Sequence, residues 1–136
     1  MKINTSLLSV ILLVGGSGSR FSSLNEPPKQ LSKLNNDYIL MHIIKYLNRY
    51  GLNHFILPLG YKKNFFKKFF YSKKNIKKYK LNLLNKNFNN KNLKKNKINI
   101  SLFDAGKNTN KMKRVIKSLK YIIDDDLLIV YGDDLS

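Results

Sequence analysis

The chain has 136 residues, 43% of them hydrophobic, a formal net charge of +18 and no cysteine. That length and hydrophobic share suffice for one compact domain with a real core, while the missing cysteine excludes disulfides, zinc-thiolate sites and cysteine nucleophiles. No apolar run reaches the roughly 18 to 20 residues of a membrane-spanning helix, so no membrane partner is expected.

The first residues, MKINTSLLSVILLVGGSGSR, fit two outlines. One is a secretory leader, with a lysine, an apolar run and small residues. The other is a strand from Ser9 to Val14, buried on both faces of a parallel sheet and running into a glycine loop. Residues Gly15 to Gln30 hold glycine, serine and the Pro27-Pro28 pair, and predict a loop. From Tyr38 to Tyr50, Ile39, Leu40, Ile43, Ile44 and Leu47 recur at threes and fours, which predicts a helix closed by Gly51. His54 to Leu59 (HFILPL) predicts a second strand, ended by Gly60.

Phe65, Phe66, Phe69 and Phe70 then repeat at helical spacing between lysines. The stripe predicts a core face; stacking on bases and lying on a membrane surface are the other readings. Residues 82–97 are rich in Lys and Asn and predict a low-complexity loop insertion. Ile98 to Phe103 predicts a strand, Lys111 to Ile123 a helix, and Leu127 to Tyr131 (LLIVY) a last buried strand entering Gly132-Asp133-Asp134. The order β-α-β-α-β-α-β makes the fold class α/β, a Rossmann-like, mostly parallel sheet with flanking helices. Ligands of such sheets sit beyond the carboxyl ends of the strands.

The positive charge by itself suggests nucleic acid or an anionic surface. Its distribution argues otherwise. Tyr61 to Lys97 contains no acidic residue, and lysine stands almost everywhere a cation does, with arginine only at Arg20, Arg49 and Arg114. Lys and Asn have A/T-only codons, so a biased genome filling tolerant surface positions accounts for them, whereas phosphate and guanine readers favour arginine. Nucleic acid is therefore not the expected partner. His42 and His54 fall within the helix and strand patterns and are read as packing residues.

Three clusters fall at the carboxyl ends of predicted strands. In Gly15-Gly16-Ser17-Gly18-Ser19-Arg20 the glycines let backbone N–H groups converge on phosphate oxygens, and Arg20 adds a forked cation. Glycine-rich turns also follow many strands that bind nothing. Pro28-Lys29 is a stiffened loop offering a mobile point charge, though one exposed lysine among many carries little weight alone. Tyr131-Gly132-Asp133-Asp134 presents hard oxygen ligands suited to Mg²⁺, or a solvated acidic turn.

Taken together, G-G-S-G-S-R, then P-K, then a helix, a strand ending in Gly60-Tyr61-Lys62, and a final Y-G-D resemble the sugar-nucleotide pyrophosphorylases, nucleotidyltransferases with a GT-A-like fold. Within that family the glucose-1-phosphate cytidylyltransferases show the likeness in MHIIKYLNRYGLNHFILPLGYKKNFFKKFF, INISLFDAG and MKRVIKSLKYIIDDDLLIVYGDDLS. The resemblance implies the strand-and-loop reading of the N-terminus over the leader, and a cytoplasmic enzyme. Its substrates would be CTP or another NTP and a sugar 1-phosphate, its products an NDP-sugar and pyrophosphate, and its cofactor Mg²⁺. By motif match, Leu13, Val14, Gly15 and Gly16 would border base and ribose; Ser17, Gly18, Ser19 and Arg20 would wrap the phosphates. Arg20 and Lys29 would act on the reacting phosphates, Asp133 would bind the metal, and Thr109, Lys111 and Gly132 would lie against the nucleotide.

Departures from the family pattern are Val14 for alanine, Ser19 for threonine, Lys111 for arginine, Asn36-Asp37-Tyr38 before the helix, and a gap near Thr109. Family members are considerably longer. Residues 1–136 are thus expected to form the truncated, N-terminal nucleotide-binding part of a nucleotidyltransferase domain. The expected protein partners are further copies in a homo-oligomer or a separately encoded C-terminal half, without which transfer is in doubt. Asp134 points away from Asp133 on an extended strand and is a poor substitute for a second metal carboxylate. Pro28-Lys29-Gln30 also resembles the cytidylyltransferase of the methylerythritol phosphate pathway, and a non-catalytic nucleotide- or nucleic-acid-binding module is the reading from a different class.

Overall fold

A computed structural model describes residues 8–14, 26–107, 109–123 and 126–131. Five strands form its main sheet: β1 (Ser9–Leu13), β4 (His54–Leu59), β5 (Leu81–Leu83), β6 (Ile98–Asp104) and β7 (Leu127–Tyr131), in the order β5-β6-β4-β1-β7. Every pairing in it is parallel. The short strands β2 (Lys33–Leu34) and β3 (Asp37–Tyr38) make a separate antiparallel hairpin whose turn holds Asn35 and Asn36 at positive φ. Asparagine tolerates that region because its short polar side chain bonds locally.

As its unbroken apolar run implies, β1 is central and buried throughout. Val10 and Leu12 project to one face, where they join Phe55, Leu57 and Ile100 under helices α1 (Ile39–Asn48), α2 (Lys63–Tyr71) and α3 (Lys73–Tyr79). Ile11 and Leu13 project to the other, with Ile56 and Tyr121, where Val115 of α4 (Lys111–Ser118) packs. The alternation follows from the two-residue side-chain period of a strand. The phenylalanine stripe is core, as read: Phe66 and Phe70 are fully buried, and Phe69 meets Tyr38 edge-on.

The aromatic helix ends at Tyr71, and Ser72 is extended, its Oγ accepting the Asn75 N–H of a second helix. Three expectations change in the structure. The helix expected over Lys111–Ile123 ends at Ser118 in a tighter 3-10 turn, Leu119–Tyr121, that brings Tyr121 onto Phe103 with ring centroids 4.6 Å apart. The segment 82–97 opens with two residues of β5, a strand too short to show periodicity; the rest connects β5 back to β6. Adjacent parallel strands require such a crossover, and Phe88 within it packs against His54, 5.2 Å between ring centroids. Lastly, among the described residues LLIVY is an outer strand: β7 pairs with β1 alone, and Leu128, Ile129 and Tyr131 are 37%, 36% and 43% exposed.

Neutral polar contacts close the amino end of the sheet. His54 lies 2.9 Å from Ser9 Oγ through Nδ1 and 2.9 Å from Ser101 Oγ through Nε2, so one ring spans the three central strands. Burial lowers its pKa from 6.5 to about 4. The other histidine, His42, uses Nε2 to meet the Leu34 carbonyl and steadies the hairpin.

Because the folded ring resists a proton that the unfolded chain accepts, stability should be complete above pH 6.5 and fall as pH drops from 6.5 toward about 4. Urea titrations across that window should show the loss, and His54→Gln should flatten it; an equally steep dependence in the variant would assign the acid sensitivity elsewhere.

Candidate functional site

The carboxyl ends of β1, β4 and β6 converge on one buried cation. Arg114, on the inner face of α4, is 3% exposed; its Nη1 donates to the Val14 carbonyl at 3.0 Å and its Nε to Thr109 Oγ1 at 3.3 Å. The helix is set for this by Asn110, whose side chain caps it by accepting the Lys113 N–H at 2.9 Å. Gly60, just past β4, leaves the space the guanidinium fills: a Cβ there would stand 2.4 Å from Arg114 Nη2 and 2.8 Å from the Gly106 carbonyl oxygen.

The turn after β6 is held from several sides. Asp104 accepts the Gly106 N–H at 3.0 Å and pairs with Lys63 at 2.7 Å. The Lys63 hydrogen bond and then the Gly106 amide hold its carboxyl below the usual range. Gly106 sits at φ +103°, a conformation open to glycine. Its carbonyl accepts Thr109 Oγ1 at 2.8 Å, and Lys117 donates to the Ala105 carbonyl at 2.9 Å. Beside this turn a pocket of about 370 Å³ is lined by Gly60, Lys62, Lys63, Asp104, Gly106 and Lys107, among others. A larger one, about 570 Å³, lies within the Lys/Asn crossover. The smaller lies beyond the carboxyl ends of β4 and β6, where parallel sheets bind ligands.

Lys29 opens a 3-10 turn, Lys29–Leu31, in which Pro28, Gln30 and Leu31 are buried and Lys29 is exposed. The turn is thus anchored on both sides of the lysine. Its ammonium has no hydrogen bond or ion pair among the described residues. The hairpin that follows is tied down by Asp37, which receives Tyr79 Oη at 2.7 Å, the Tyr38 N–H at 2.8 Å and the Lys45 ammonium. Burial raises its carboxyl, but those three donors more than offset that and bring it to about 2. Burial and the Asp37 charge in turn raise Tyr79.

Of the residues singled out in the sequence, Leu13 and Val14 bury their side chains in the two cores. Only their backbone faces onward, and the Val14 carbonyl is taken by Arg114. Thr109 commits its hydroxyl to Gly106 and Arg114. Lys111 is exposed and places Nζ 4.8 Å from the centroid of Tyr131, the last described residue of β7. Gly15, Gly16, Ser17, Gly18, Ser19, Arg20, Gly132 and Asp133 lie outside the described residues. Among the described residues no group of three His, Asp or Glu side chains converges, so they supply no metal site of their own. Arg114 and Gly60 went unread as site residues. The available signal was an arginine kept in a chain that otherwise uses lysine.

No protein-family model matches the chain. A probable glucose-1-phosphate cytidylyltransferase of Bacillus subtilis is 31% identical over 134 residues, covering 95% of this chain and 51% of the relative. The resemblance is to sugar-1-phosphate nucleotidyltransferases. A D-glycero-alpha-D-manno-heptose 1-phosphate guanylyltransferase of Aneurinibacillus thermoaerophilus is 38% identical over 64 residues, 46% of this chain and 28% of that protein. The chain therefore spans about half or less of the curated relatives it matches, which fits a likeness to their N-terminal part. In fold it matches HddC from Yersinia pseudotuberculosis, crystallised with GMP-PN, at a TM-score of 0.61 and 21% identity, over 93% of this chain and 48% of that one. The two chains share a fold over that span.

Gly60→Ala should force Arg114 and the Gly106 turn apart and cost about 1–3 kcal/mol, the usual range for overpacking. Thermal unfolding checks this; a variant as stable as wild type would mean that the space is not needed.

Proposed function

We propose that this chain is the nucleotide-holding part of an enzyme that joins an NTP, CTP by preference, to a sugar 1-phosphate, glucose 1-phosphate by preference, releasing pyrophosphate. The observation that carries the proposal is the 31% identity running over 95% of the chain to a probable cytidylyltransferase. It is supported by the parallel pairing of β1 with β7, the two strands that the glycine loop and the Gly132-Asp133 pair follow in sequence. A guanylyltransferase among the relatives makes GTP the alternative base. Such substrates would put the reaction in the cytoplasm.

In the reaction, a phosphate oxygen of the sugar attacks the α-phosphorus of the nucleotide in line, that bond forms as the bond to the bridging oxygen of the β-phosphate breaks, and pyrophosphate leaves with the electron pair. Both reactants are anions, so the protein's work is to gather them and stabilise charge. The N–H groups of Gly15 to Ser19 and the fork of Arg20 would hold the β- and γ-phosphates. Lys29, extended from its anchored turn, would reach the phosphate that reacts. Lys111 and Thr109 would border the nucleotide, as would the backbone of Leu13, Val14 and Gly132. Mg²⁺, with Asp133 as its protein ligand, would lower the charge of the triphosphate. The sugar pocket would come from sequence equivalent to the remainder of the relatives.

Calorimetry of the chain with CTP, GTP and UTP, with and without Mg²⁺, and with duplex DNA as control, tests this. The expected result is magnesium-dependent binding with CTP tightest, lost in Lys29→Ala and Asp133→Ala while the fold is retained. Salt-sensitive DNA binding with indifference to every nucleotide would replace the proposal with an electrostatic nucleic-acid binder.

A further inference from the structure

The hairpin 33–38 stands between a buried carboxylate cluster and the turn that carries Lys29. On one side, Asp37 is 8% exposed and gathers donors from two helices: Tyr79 Oη of α3 at 2.7 Å and the Lys45 ammonium of α1, together with the Tyr38 N–H at 2.8 Å. Asp37 lies opposite Leu34 and Tyr38 opposite Lys33, so holding β3 also holds β2. On the other side, the Ser32 carbonyl accepts the Ile39 N–H at 2.9 Å, and Ser32 gives two donors to the Lys29 carbonyl, its N–H at 3.0 Å and its Oγ at 2.6 Å. Leu31, whose N–H donates to the Pro28 carbonyl at 2.9 Å, is buried in the core. An unbroken series of contacts therefore runs from Tyr79 and Lys45 through Asp37 and the hairpin to the backbone of Lys29.

We propose that Asp37 is a positioning residue for Lys29: by bonding the hairpin to α1 and α3 it fixes the backbone from which the lysine extends toward phosphate. A lysine is a point charge on a flexible stem, so the region its ammonium samples is set by where its Cα is held. Fixing that origin before a ligand arrives lowers the ordering cost of binding. The departure Asn36-Asp37-Tyr38 from the family pattern thereby has a structural role: Asn36 takes the positive φ of the hairpin turn, and Asp37 ties the hairpin to the helices. This inference rests on the proposed contact of Lys29 with the reacting phosphate for its consequence, and on the geometry above for its cause.

Asp37→Asn keeps the size of the side chain and removes the charge that Lys45 and Tyr79 meet. Two readouts separate cause from consequence, both taken well below the thermal midpoint: hydrogen exchange of the Leu31 and Ser32 amides in the ligand-free protein, and the Mg²⁺–CTP dissociation constant. The expected result is a folded variant whose two amides exchange about tenfold faster, by local opening of the turn, and whose CTP affinity falls about tenfold, the scale on which supporting residues act on the groups they orient. A merely structural role would lower the midpoint and leave the affinity unchanged, as is expected of His54→Gln at the amino end of the sheet; that outcome in Asp37→Asn overturns the inference, and so do unchanged exchange rates. Should Asp37→Asn fail to fold, Tyr79→Phe keeps the ring and withdraws one donor; it should act in the same direction on both readouts, and unmoved exchange at Leu31 and Ser32 would overturn the proposal. If the wild type binds no nucleotide the functional proposal fails, while exchange at the turn still decides whether Asp37 holds Lys29.

Discussion

The parallel pairing of β1 with β4 on one side and β7 on the other is the constraint on which the molecule depends. It buries all of Ser9–Leu13 and requires an apolar residue at nearly every position of the strand. It also sends the chain one way across the sheet under α1 and the other way under α4, since these helices pack on opposite faces of β1. The point where the order reverses lies between β1 and β7, and a parallel sheet opens a crevice there for a ligand. β1 and β7, the strands that precede the glycine loop and the Gly132-Asp133 pair in sequence, flank that point.

The two ends of the sheet are finished differently. At the amino end, the neutral His54 ring lies between two serines. Asn99 accepts Asn82 Nδ2 and the Lys94 N–H and donates to backbone carbonyls, among them that of Asn53 at 2.9 Å. These contacts close the amino end without burying charge. At the carboxyl end a full cation is taken out of water and held by a carbonyl and a hydroxyl. Burying an ion is costly unless its donors are matched, and a forked guanidinium meets that demand better than an ammonium. The lysines, in contrast, lie mostly exposed on the outer surfaces of the helices and the crossover, several over tyrosine rings. The large net charge is thus chiefly a surface property.

The crossover 84–97 shows how a tolerant sequence still has structural duties. Its composition is nearly all Lys and Asn, yet Phe88 covers His54 and Asn89 and Asn92 bond each other's backbone in a small capped turn. The apolar duty falls on very few side chains. The remaining positions face water and are open to lysine and asparagine.

The sequence by itself determined the parallel α/β class, the central strand, a helix within Tyr38–Tyr50, the phenylalanine core face and the packing roles of both histidines, because each rests on a local period or an unbroken apolar run. It also set out the glycine loop, Lys29 and the Y-G-D segment as candidate site residues, from their residue types and order in the chain. Tertiary structure alone decided the rest. Strand β5 is too short for periodicity and exists because β6 offers it an edge. The run LLIVY carries the same signal at an edge as at the centre, and only neighbour pairing distinguishes them. The link from Arg114 to Val14 spans a hundred positions of sequence; no local pattern announces it, because a buried ion pairs with whatever acceptors the folded chain brings within reach.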